Sequence, residues 1–73
     1  MRSYRAYLDN YRHALERAIE HKNDRRLARF HVNAAEAFKR RATRAALECG
    51  EYKECFAEIF RIIRECKQTE RAA

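Results

Sequence analysis

The sequence predicts an all-α protein, either a small three-helix antiparallel bundle or a helical hairpin. Three observations predict it. The 73 residues contain no proline and one glycine, so almost nothing interrupts a helix. Thirteen alanines, together with many Arg, Glu, Lys and Leu residues, favour helix by intrinsic propensity. Apolar residues then recur with a 3.6-residue period in three successive segments.

The first segment covers residues 3–22. Tyr4, Leu8, Tyr11, Leu15, Ala18 and Ile19 form one stripe, with Tyr7 and Ala14 beside it, while Arg5, Asp9, Arg12, Glu16 and Glu20 lie away from it. Ser3 is placed to cap its start. Asn23 tolerates the left-handed conformation that follows a helix, and Asp24 is placed to cap the next one.

The second segment covers residues 24–49. At 100° per residue, Leu27, Phe30, Ala34, Phe38, Ala42 and Ala45 share one side. This stripe is rich in alanine, which lets a neighbouring helix approach closely. The weaker helix formers His31, Val32 and Asn33 leave it open whether this segment is one continuous helix. Gly50 closes the segment as a left-handed cap.

The third segment covers residues 51–67. Tyr52, Cys55, Ile59, Ile62 and Cys66 repeat at helical spacing, and Phe56, Phe60 and Ile63 widen the stripe. Glu51 and Glu54 suit the positive end of the helix dipole. Residues 68–73 are expected to fray. Connections of one or two residues force neighbouring helices to run antiparallel. The whole chain, 1–73, reads as one domain. Only thirteen residues are Leu, Ile, Val or Phe, so the core is small and dimerisation is expected to complete it.

Charge gives the functional lead. The chain carries a net charge of +6. Residues 22–44 hold eight bases (Lys22, Arg25, Arg26, Arg29, Lys39, Arg40, Arg41 and Arg44) against two acids, Asp24 and Glu36, which is the full imbalance. The remainder is neutral, with nine residues of each sign. On an ideal helix with Arg25 at zero, Arg29 falls at about 40°, Arg40 at about 60°, Arg26 and Arg44 at about 100° and Lys39 at about 320°, while the expected core stripe centres near about 190°. Arg25 and Arg44 stand roughly 28 Å apart along the axis.

A one-signed, arginine-rich face suits phosphate or carboxylate, because guanidinium forks match both. Arg25, Arg26, Arg29, Asn33, Lys39, Arg40 and Arg44 are the candidate polyanion-binding residues, with Asn33 and Thr43 able to hydrogen-bond a phosphate or base edge. The expected function is a non-enzymatic regulatory binding module for nucleic acid or another polyanionic surface. The alternatives are an adaptor or inhibitor of bacterial or phage accessory type that binds an acidic patch on a partner protein, and a self-assembling helical protein. Tyr4, Tyr7, Tyr11, Ile59 and Phe60 are the candidate self-association residues, since tyrosine is enriched at interfaces.

Other chemistry lacks parts. The chain has no glycine-rich phosphate loop and no serine–histidine–acid set, and its single serine is Ser3. His13, His21 and His31 do not share metal-ligand spacing, and Cys55 and Cys66 stand roughly 16 Å apart on one helix, too far to share an ion. Cys55 and Cys66 read as small core residues and Cys49 as exposed. No enzyme activity, cofactor, metal or small-molecule substrate is expected. No apolar run is long enough to span a membrane, and no signal segment is evident, so a cytoplasmic protein without a membrane partner is expected.

Overall fold

The computed structural model describes residues 3–72. It contains three helices in the order α1 (Tyr4–Glu20), α2 (Arg25–Cys49) and α3 (Tyr52–Ala72), and no strand among those residues. The chain is flattened, with extents of 39 × 23 × 12 Å. Helices α1 and α2 form a long hairpin in contact along its length, and α3 runs beside both with a lighter contact to each.

Each boundary has a local cause. The Ser3 hydroxyl accepts from the Arg5 N–H at 3.2 Å, which satisfies one free donor of the first turn of α1. Asp24 does the same for α2, accepting from the Leu27 N–H at 3.2 Å. Helix α1 stops at Glu20, two residues before the expected end. His21 caps it at φ −108°, and among the described residues Gly50 alone takes a positive φ. Asn23 is therefore not left-handed. The turn is instead closed by the Asp24 N–H donating to the His21 carbonyl at 2.9 Å.

Gly50 fulfils its expected role, with φ 76° and ψ 16°. Its N–H donates to the Leu47 carbonyl, and the Glu51 N–H donates to the Ala46 carbonyl at 2.9 Å. Together these two bonds form the Schellman arrangement, which satisfies carbonyls that α2 would otherwise leave free.

Helix α2 is continuous through His31, Val32 and Asn33, with the strong helix formers and buried alanines on their C-terminal side carrying it through. One expectation is corrected. Helix α3 continues to Ala72, so the expected frayed tail is helical over its described part; Ala73 lies outside the described residues. Gln68, Glu70 and Arg71 are good helix formers, and the Thr69 hydroxyl donates back to the Glu65 carbonyl at 3.1 Å.

The core lies between the three helices. Helix α1 contributes Tyr4, Leu8, Tyr11, Ala14 and Ala18; α2 contributes Ala35, Ala42 and Ala46; α3 contributes Cys55, Ile59, Ile62 and Cys66. The α2 contribution corrects the sequence reading. Its buried alanines centre near about 280° on the wheel that has Arg25 at zero, a rotation of about 90° from the expected stripe. Phe30, expected inside, is 65% exposed. Phe38, Ala34 and Ala45 are half-buried at the core's edge. The reason is steric. The smallest side chains mark where two helix axes can come closest, and they override the row of largest apolar residues.

Burial has its usual effect on the titratable core groups. It pushes the Tyr4 and Tyr11 phenols and the Cys55 and Cys66 thiols above their ordinary values. The Tyr4 hydroxyl is buried without a hydrogen-bond partner. Of the candidate self-association residues, Tyr4, Tyr11 and Ile59 lie in the chain's own core, as their places on the apolar stripes lead one to expect. Of that set, Tyr7 is half-buried and Phe60 is 60% exposed.

Candidate functional site

The rotation of α2 sharpens the layout of its charge. Arg25, Arg26, Arg29, Arg40, Arg41 and Arg44 spread over about 0–160° on the wheel, nearly opposite the buried alanines at about 280°. All six are exposed. Because α2 is one unbroken helix, their relative positions are fixed by its geometry and not by a flexible joint.

The six arginines fall into two clusters. Arg25, Arg26 and Arg29 surround an open depression of about 470 Å³. Arg40, Arg41 and Arg44, with Ala37 as a floor, surround another of about 260 Å³. Their centres are fifteen residues apart, about 22 Å along the helix. Among the described residues, none of the six pairs with a carboxylate. Three arginines lining one open hollow provide many N–H donors and a local positive potential, which is what a phosphate or carboxylate group requires.

The remaining candidates separate. Asn33 is exposed between the two clusters. Lys39 stands on the rim of the core side, where its ammonium pairs with Glu36 at 3.1 Å, so it does not join the arginines. The Thr43 hydroxyl donates to the Lys39 carbonyl at 2.9 Å and is occupied there. Arg41 was not among the sequence candidates, because its wheel position lay near the expected core stripe. The corrected rotation brings it to the cluster, where its guanidinium also lies 6.0 Å from the Phe38 ring centre.

Two further features went unseen in the sequence. The His21 and His31 rings stack at 5.7 Å across the α1–α2 turn. On α3, Tyr52, Phe56 and Phe60 form an aromatic ladder, edge-to-face at 4.5 Å and then stacked at 6.2 Å. Helical i, i+4 spacing is the signal that would have found the ladder. The ring pair depends on how the turn folds, which spacing does not reveal.

The other grooves are of mixed sign. The one between α1 and α3 is lined by Arg5, Asp9, Arg12, Glu58 and Arg61 with Leu8 and Ile62. Among the described residues, no group of three or more His, Cys, Asp or Glu side chains is placed to hold a metal ion. No helix there is long and apolar enough to cross a membrane.

The arginine face is thus the most basic surface of α2, with six arginines against the exposed Glu36 and Glu48, and its chemistry has to be read from its own geometry. No family model, curated protein or solved structure matches this chain.

Proposed function

We propose that the chain is a non-catalytic binding module that engages a nucleic-acid backbone through the arginine face of α2. One observation carries this reading: two three-arginine clusters stand on the same side of one rigid helix, free of carboxylate partners. A polyphosphate backbone is the polyanion that meets both clusters at once. Each cluster takes one or two phosphates, the straight helix between them sets the register, and the released counterions supply most of the affinity. Asn33 lies on the path between the clusters and offers hydrogen bonds to a base edge or sugar.

The test compares three proteins in a polarisation assay with labelled DNA and RNA at low salt: the native chain, Arg25→Gln/Arg26→Gln/Arg29→Gln, and Arg40→Gln/Arg41→Gln/Arg44→Gln. All substituted side chains are exposed, so folding should be unaffected. The reading expects the native chain to bind and each variant to weaken by more than tenfold. Equal binding by all three, or none by the native chain, defeats it.

A second reading is self-association, favoured by the α3 ladder, in which Tyr52 and Phe60 are exposed on either side of half-buried Phe56. An antiparallel pair of α3 helices centred on Phe60 sets Lys53 of each copy opposite Lys67 of the other. Such a dimer would tighten as salt screens the like charges, the reverse of nucleic-acid binding. Sedimentation of the native chain and Phe60→Lys at two salt concentrations checks it: a native monomer throughout rules it out.

A further inference from the structure

We infer that the nucleic acid the arginine face accepts is single-stranded, with Phe30 providing the platform on which one unpaired base stacks. The inference rests on the nucleic-acid reading above and narrows it. Phe30 is the largest apolar side chain on that face and is 65% exposed. On the α2 wheel it lies at about 140°, inside the arginine arc, one turn beyond Arg26 and beside Arg29 and Asn33. Among the described residues, its one aromatic neighbour is His31, which meets it edge-on at 5.4 Å and an interplanar angle of 76°. A ring held edge-on by one neighbour keeps a face open.

The composition of this patch decides between the nucleic-acid forms. A phenyl ring has no donor for a phosphate and gains nothing from a charged backbone. Its natural ligand is another flat apolar face. In a duplex the base faces are covered by their neighbours in the stack, and Phe30 could reach one only by prising a step apart. In a single strand each base has a free face, and an aromatic ring among cations is the usual platform for it. Phe30 lies about 16 Å along the helix from Arg41 and within about 6 Å of Arg26. A strand whose base rests on Phe30 therefore has phosphates near the first cluster and its continuation running toward the second.

The α3 ladder is a weaker platform for the same ligand. Its three rings pack on one another, and Phe56 between them is half-buried. Phe60 is nearly as exposed as Phe30, but it stacks on Phe56 and stands on α3, whereas Phe30 stands among the arginines of α2.

The experiment measures affinities of the native chain, Phe30→Ala, Phe30→Leu and Phe30→Tyr for a single-stranded oligonucleotide of about 12 nucleotides, within the ~4–16 nucleotides typical of single-strand sites, and for the matching duplex. The inference expects the native chain to prefer the single strand. Phe30→Ala and Phe30→Leu should weaken single-strand binding by roughly 5- to 100-fold and leave duplex binding unchanged, while Phe30→Tyr retains the preference. If the native chain binds nucleic acid and Phe30→Ala binds both forms as well as it does, the inference fails and the arginine reading stands. Equal weakening toward both forms also overturns the single-strand assignment. If the native chain binds neither form, both readings fall together.

Discussion

Arg12 of α1 donates to Glu65 of α3 at 2.6 Å, joining residues 53 positions apart in the chain. This ion pair spans the α1–α3 seam, and it follows from the two helices running parallel. The Arg12 hydrogen bond holds the Glu65 carboxyl below its ordinary range, with partial burial opposing. The same bond raises the Arg12 guanidinium. A carboxyl with a depressed folded-state value stabilises the fold above the ordinary carboxylate range and loses that contribution as pH falls through the depressed value. Both side chains are partly solvated, so the contribution is modest. Glu65→Gln should lower the melting temperature slightly at neutral pH and flatten the fall in stability on acidification. Thermal melts of both proteins across the acid range measure this directly.

The rotation of α2 makes the sharpest stability contrast. Ala42 has no exposed surface, so Ala42→Leu should force the α1–α2 hairpin apart and cost about 1–3 kcal/mol. Phe30→Ala, at an exposed position, should change stability by no more than about 0.5 kcal/mol. Had the apolar row set the packing, Phe30→Ala would instead cost about 3–5 kcal/mol as a core truncation. Urea titrations of the two variants distinguish the cases.

Thiol chemistry reports the same core from another helix. Cys55 and Cys66 are buried and Cys49 is exposed. Burial raises both core thiols, so neither is accessible or readily ionised. A thiol reagent should label Cys49 alone in the folded protein and all three cysteines in denaturant. Peptide mapping of the labelled sites checks it. Rapid native labelling of Cys55 or Cys66 would show that α3 does not dock as described.

The sequence revealed most where a single residue type decides a local outcome. Ser3, Asp24 and Gly50 each mark a helix end because a short oxygen or a missing Cβ is needed there. The cores of α1 and α3 were legible because Leu8, Ile59 and Ile62 are large and regularly spaced. Helix α2 was read a quarter-turn wrong. Its core residues are alanines, which carry little hydropathic signal, and Phe30 and Leu27 pulled the apparent stripe toward themselves. Close approach between two helices depends on the partner's shape, which a single-helix pattern does not contain. The error also misplaced Arg41 and put Lys39 with the arginines. The end of α3 was missed for a different reason. Residues 68–71 are exposed and continue the helix without packing, carried by propensity and by the Thr69 bond to the turn before it.

The central claim is that both arginine clusters contact phosphates on one strand, and the salt dependence of binding tests it most directly. For single-stranded nucleic acid, the slope of log affinity against log salt is about −0.7 per phosphate neutralised. With one or two phosphates neutralised at each cluster, the native chain should show a slope of about −1.4 to −2.8, and replacing either cluster with glutamine should halve it. A native slope near zero, or a slope that neither triple replacement alters, would contradict the account.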